Sequence, residues 1–167
     1  KLLNTMDPKA KGTTISNETG EGFVKAIAAK EGITAIKIKS ARMLLAYGFL
    51  RSVFEVFERY KTPIDMITTS EVAVSLTIDD TSNLDKITQE LEAFGLVEVD
   101  TDQSIVCIVG NMVSETEGAA IKIFEALKNV PIRMISYGGS RHNISVVVDA
   151  QYKQKALQSL NSGLFTF

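Results

Sequence analysis

Two acidic residues, Asp65 and Glu71, bracket a run of hydroxyls, Thr68-Thr69-Ser70. Each carboxylate can accept charge-assisted hydrogen bonds from an ammonium, while Ser70 or neighbouring backbone N–H groups suit a carboxylate. The constellation fits a small ligand with two ammoniums and one carboxylate, as in lysine. The alternative is that these charges are solvated surface residues on loops. Other candidates for chemistry are weaker. Tyr137-Gly138-Gly139-Ser140-Arg141-His142 is glycine-rich but lacks the pattern of a phosphate-binding loop, so it reads as a hairpin turn. His142 has no second His or Cys for a metal and no nucleophile motif beside it. Cys107, within Ile105-Val106-Cys107-Ile108-Val109, reads as a small buried hydrophobe in a strand. Met43, Met66 and Met134 fall in or beside apolar segments and read as core.

Composition narrows the classes. The 167 residues are 45% hydrophobic with a net charge of -2, which suits a globular chain and offers no basic footprint for nucleic acid. No apolar stretch approaches the ~20 residues needed to span a bilayer. A lone cysteine fits a cytoplasmic setting. The chain starts at Lys1-Leu2-Leu3 without an initiator Met and reads as a piece of a longer protein.

Residues 1–21, punctuated by Pro8, Gly12, Asn17 and Gly20, read as a connector. Phe23 to Ala29 is a short apolar stretch that fits a strand. Ile36 and Ile38 alternate with Lys37 and Lys39, predicting a strand over 33–40 with one wet face. Phe49, Leu50, Val53, Phe54, Phe57 and Tyr60 have helical spacing, and Pro63 ends that helix. Val72, Val74, Leu76 and Ile78 alternate as a strand. Leu84, Ile87, Leu91 and Phe94 predict a second helix, and 96–99 a short closing strand. The order then restarts. Residues 105–109 predict a strand buried on both faces, and Ala120, Ile123, Phe124 and Leu127 a helix. Residues 132–136 and 144–148 read as strands, and Tyr152, Ala156, Leu157 and Leu160 as a last helix. Each half runs strand, helix, strand, strand, helix, with one more strand needed to complete a βαββαβ sandwich.

The halves also match in residues. Gly48 and Phe54-Glu55 correspond to Gly118 and Phe124-Glu125, at an offset of roughly 70 residues. Pro63-Ile64-Asp65-Met66-Ile67-Thr68 corresponds to Pro131-Ile132-Arg133-Met134-Ile135-Ser136. Asp65 thus faces Arg133 across the repeat. A carboxylate can hold an ammonium and a guanidinium repels one, so two similar pockets would not bind the same cation.

The string Met43-Leu44-x-x-x-Gly48-Phe49-Leu50-x-x-Val53-Phe54, followed by Ile64-Asp65-Met66-Ile67-Thr68-Thr69-Ser70-Glu71-Val72, resembles the C-terminal regulatory region of aspartate kinases. The likeness is greatest to the lysine-sensitive, monofunctional type. Ile108-Val109-Gly110-Asn111, Ser140-x-His142-Asn143-Ile144 and the Leu164-Phe165 ending extend it over nearly the whole chain. The resemblance implies an α+β fold of two ferredoxin-like βαββαβ modules of the ACT type. Their sheets are antiparallel with helices on one face, and the first module (33–103) is inserted in the second (22–32 plus 104–167). It implies feedback control, by lysine, of an ATP-dependent phosphorylation of aspartate that opens lysine, threonine and methionine synthesis. The kinase domain, with its ATP and Mg, would lie N-terminal to this chain, which alone would be non-catalytic and would carry no cofactor. The modules would pair into a homodimer. The effector would sit between first modules of two subunits, against Met43, Ala46, Gly48, Phe49, Leu50, Ile64, Asp65, Ser70, Glu71 and Val72. Ala46 stands where relatives often have a serine, which leaves threonine open as the effector.

Two other readings share the architecture. An RNA-binding βαββαβ module needs exposed aromatics on its central strands, which here carry Val, Ser, Thr and Leu. An acyl-phosphate hydrolase needs an Arg cradle and an Asn that orients water. Arg42 and Asn111 occur, but in no cradle-like context.

Overall fold

The computed structural model describes residues 1–15, 22–40, 47–111 and 113–165. The elements are β1 (Val24–Lys39), α1 (Phe49–Arg59), β2 (Met66–Thr69), β3 (Ala73–Ile78), α2 (Leu84–Leu91), β4 (Leu96–Gly110), α3 (Ala119–Ala126), β5 (Met134–Ser136), β6 (Asn143–Asp149) and α4 (Ala150–Leu164). The strands form one antiparallel sheet in the order β2-β3-β1-β4-β6-β5. Residues 1–15 contribute only isolated bridges, Leu2 with Thr13 and Asn4 with Asp7.

β1 and β4 are long because each serves both halves of the repeat. The second half of β1 lies between β3 and the first half of β4 (Ile36 opposite Leu76 and Val99). The second half of β4 lies between β6 and the first half of β1 (Ile108 opposite Ile144 and Ile27). The strand missing after α4 is therefore supplied by the start of β1, and the first βαββαβ unit sits inside the second. The sequence pattern predicts separate strands over 23–29 and 33–40, and over 96–99 and 105–109. Instead each pair runs as one strand with a kink. Gly32 (φ 70) and Asp102 (φ 55) take left-handed backbone at the kinks, and the β1–β4 register shifts beside them. Pairing with the opposite long strand on both sides of each kink keeps the chain extended through it.

The continuous sheet folds on itself. β2 and β5, at opposite ends of the strand order, touch each other. Ile33, Ala35, Met66, Ile105, Met134 and Val147 form a small core between the two facing halves. Helices cover the outer faces. Val53, Val56, Phe57, Ile87 and Leu91 pack on Ile36, Ile38, Val74, Leu76 and Ile78. Ala119, Ile123, Leu127, Ala156 and Leu160 pack on Val106, Ile108, Ile144, Val146 and Val148. Each fully buried Ile, Leu or Val contributes about 1.5–3 kcal/mol, so the strand alternation alone selects these faces. β4 accordingly buries Ile105 on the inner face and Val106 on the outer, but Val109 at its end is exposed. Cys107 is half-buried, not enclosed, and accepts from Asn143 Nδ2 at 3.6 Å.

The repeat extends to the backbone. Gly48 and Gly118 both precede a helix in left-handed conformation, φ 84 and φ 74. Asp65 N donates to Thr77 O at 2.9 Å, and Arg133 N to Val147 O at 2.8 Å. The glycine-rich segment 137–142 joins β5 to β6 as a hairpin connection, with Tyr137 Oη donating to Ser114 O at 2.7 Å.

Candidate functional site

The residues singled out in the first unit separate into two groups at opposite ends of β2. Gly48, Phe49 and Leu50 start α1. The Phe49 ring meets Phe94 edge-on, centroids 6.2 Å apart at 80°, which fixes the helix start beside Leu96 and Lys39. Ser70, Glu71 and Val72 form the turn between β2 and β3 at that same end. Ser70 N donates to Ala73 O at 2.8 Å and Ser40 N to Val72 O at 2.9 Å. Glu71 and Val72 are exposed, and so is Leu50. Met43, Ala46 and Arg42 lie outside the described residues.

Asp65 immediately precedes β2 at the far end, reached through Tyr60, Pro63 and Ile64 after α1 finishes. Ile64 packs against the helix-covered core of the first unit. Five residues of extended chain separate Asp65 from Ser70, about 16 Å at ~3.3 Å per residue. The four-carbon stem of a lysine is far shorter. Within one chain the two groups therefore do not enclose a single amino acid.

Asp65 is not waiting for a cation. Lys30 Nζ, from the first half of β1, stands 2.7 Å from Asp65 Oδ1 and 2.7 Å from Asp79 Oδ2. The hydrogen bond that Lys30 donates to Asp65, then that to Asp79, raises its ammonium above the ordinary pKa of 10.5. The same hydrogen bond from Lys30 holds the Asp79 carboxyl below the usual carboxylate value. Sequence spacing did not single out Lys30, which lies 35 residues before Asp65. In the second unit the equivalent pair has inverted polarity. Arg133 bonds Asp100 of β4. The pair lines an open cavity of about 460 Å³ with Gln103, Pro131, Ile132, Asp149 and Tyr152. Asp149 is engaged as the cap of α4, accepting from Gln151 N at 3.0 Å.

β2 is an edge of the sheet, paired with β3 on one side. Ile67 on that edge is exposed, as are Val72 in the turn that follows and Leu50 in the first turn of α1. Among the described residues no group of three His, Cys, Asp or Glu could hold a metal, and no described helix is long and apolar enough to cross a membrane.

Residues 106–164 match the family model for the ACT domain. A solved chain from Porphyromonas gingivalis W83, described as a C-terminal regulatory domain of aspartate kinase, is 52% identical with a TM-score of 0.77. The match covers 84% of this chain and 97% of that one. Lysine-sensitive aspartokinase 3 of Escherichia coli is 35% identical over 97% of this chain and 38% of its own length. Structures of E. coli aspartokinase III with aspartate and ADP, and with lysine and aspartate, give TM-scores of 0.84 and 0.81. Each covers 96% of this chain and 38% of the other. The chain spans between about a quarter and two fifths of the length of the curated relatives it matches. With its paired βαββαβ units and these relatives, the chain belongs to the ACT-domain regulatory regions of aspartate kinases.

Proposed function

We propose that this region binds lysine between the first units of two subunits and transmits feedback inhibition to an attached aspartate kinase domain. One observation carries the reading: the residues expected to contact the effector sit at opposite ends of an edge strand, β2. Two copies of β2 placed side by side and antiparallel about a two-fold axis would set Asp65 of one subunit against Ser70 and Glu71 of the other. A single lysine then meets both groups. Edge strands offer unpaired N–H and C=O groups for such augmentation, and the apolar edge residues Ile67 and Val72 would be covered by it. Asp65 and Glu71 suit the two ammoniums. The start of α1 at Phe49, preceded by the left-handed Gly48, offers free N–H groups to the carboxylate. The lysine complex of E. coli aspartokinase III supports the choice of ligand.

ATP and Mg would serve the kinase domain of the parent, and this region would carry no cofactor of its own. The Asp65/Arg133 exchange confines the ammonium site to the first unit. Calorimetric titration with lysine, threonine and methionine, beside sedimentation of the chain with and without lysine, tests the reading. Lysine binds at one site per chain to a dimer, and Asp65→Ala abolishes the heat. Binding of threonine alone, or lysine binding untouched by Asp65→Ala, rejects it.

A further inference from the structure

Lys30 lies on the half of β1 that closes the second unit, yet its ammonium is lodged in the first, against Asp65 and Asp79. Its counterpart in the repeat is Asp100, on the half of β4 that closes the first unit and bonded to Arg133 of the second. Two ion pairs of opposite polarity therefore staple the units together. They differ chemically. The guanidinium of Arg133 repels a ligand's ammonium. The Lys30 staple is itself an ammonium on a four-carbon stem, the same group a free lysine brings to the same carboxylate.

We propose that Lys30 is a built-in competitor for the effector's side-chain ammonium, holding Asp65 in the empty site and withdrawing to Asp79 when the ligand arrives. This rests on Asp65 being part of the lysine site. Asp79 offers the second anchor, already at 2.7 Å. The side chains of Lys30 and Asp79 are 47% and 43% exposed, so the exchange needs no burial of an unpaired charge. The exchange drops one of the two carboxylates by which Lys30 holds the units together, and so links ligand binding to their relative placement. By reciprocity, whatever strengthens the Lys30–Asp65 pair weakens the ligand by the same factor. Lys30 is a positioning residue on this account, setting affinity and selectivity.

Calorimetry on the whole chain tests it, with lysine and with norleucine, which has the same carbon skeleton but no side-chain ammonium. Lys30→Met removes a like charge about 4–5 Å from the incoming ammonium, which at the water-like dielectric of this half-exposed pair strengthens lysine binding about fivefold. The gain shrinks at high salt and is absent for norleucine. Lys30→Arg stays near the wild type. Asp79→Asn acts in the opposite direction: it leaves Lys30 only Asp65 and weakens lysine by a similar factor. A purely structural role for Lys30 would move Lys30→Met and Asp79→Asn the same way and would not distinguish lysine from norleucine. If Lys30→Met, with its melting temperature retained, binds lysine equally or less tightly, competition is overturned while the lysine site stands. If the unaltered chain binds no lysine, the functional reading falls and this inference with it. Should Lys30→Met not fold, Lys30→Gln and Asp79→Asn decide the question in the same terms.

Discussion

Gly110 ends β4 where the start of β1 crosses it, and a side chain there has no room. A Cβ on Gly110 would stand 1.9 Å from Phe23 O, 2.9 Å from Phe23 C and 3.2 Å from Val24 Cα, all backbone atoms. No rotamer change relieves that overlap, so in Gly110→Ala the two strands must part by about 1 Å or more. The hydrogen bond from Asn111 N to Phe23 O, 3.1 Å long, is then lost, at a net cost of about 1 kcal/mol. Val24, 5% exposed, leaves the core of the second unit, which costs a further 1.5–2 kcal/mol or so. The sum is about 2.5–3 kcal/mol, or a fall in melting temperature of roughly 5–12 °C for a chain of this size. Urea unfolding followed by circular dichroism measures it, and hydrogen exchange should show the opening at residues 24–30 and 105–110. Gly118→Ala is the control. Nothing lies within 4 Å of its Cβ, and only the left-handed φ of 74 opposes the change, for about 1 kcal/mol. If Gly110→Ala loses no more than Gly118→Ala, the start of β1 is not seated against β4, and the closure of the second unit by the chain's beginning is refuted.

Further outcomes follow from other contacts. Phe49→Ala removes the edge-on contact with Phe94, worth about 0.5–1.5 kcal/mol beyond burial, and frees the start of α1. Both unfolding stability and lysine affinity should fall, and unchanged lysine affinity would detach the helix start from the site. Ile67→Lys places a charge at the middle of the β2 edge, where Ile67 is 37% exposed. Sedimentation should then report a monomer with lysine binding lost, and a persistent dimer would place the contact elsewhere. Glu98 is held below its ordinary carboxylate value of 4.5 chiefly by the hydrogen bond from Lys39, at 2.5 Å. A depressed carboxylate stabilises the fold above its unfolded pKa, and that contribution disappears as pH falls from about 4.5 toward the folded value. Glu98→Gln should therefore lower the melting temperature slightly at neutral pH, flatten part of the acid limb of the profile, and converge on the unaltered chain at its acid end. Lys30 has the opposite sign. Its ammonium is raised above 10.5, so its contribution is complete below that value and is lost only as pH climbs through the raised one. A Lys30→Met difference that is constant from neutrality to about pH 10 is expected in thermal melts.

Much of the architecture is local and so was readable from residues alone. Ile36 and Ile38 alternating with lysines, or Val53, Val56 and Phe57 at helical spacing, report burial because period and exposed face are properties of the element itself. The P-I-x-M-I repeat likewise marks equivalent places, since Met66 and Met134 both enter the core between the facing sheets. The kinks were harder. Gly32 and Asp102 look like ordinary breaks between strands, and only pairing with the opposite long strand shows that the chain continues through them.

The site divides along the same line. Residue types at Asp65, Ser70 and Glu71 specify the chemistry of a ligand with two ammoniums and a carboxylate, because charge and hydrogen-bonding capacity travel with the side chain. Sequence nearness made Asp65 and Glu71 seem like neighbours around one ligand. The extended geometry of β2 sends them to opposite ends, since six residues in a strand cover more length than an amino acid does. Their nearest partners were equally out of reach of the pattern. Lys30 meets Asp65 across 35 positions and Arg133 meets Asp100 across 33, each through a long strand shared by both units. The Asp65/Arg133 exchange was visible in the aligned halves. That each has its own opposite charge from the other unit, and that one of those charges is an ammonium like that of the proposed ligand, depends on where the folded sheet brings distant strands together.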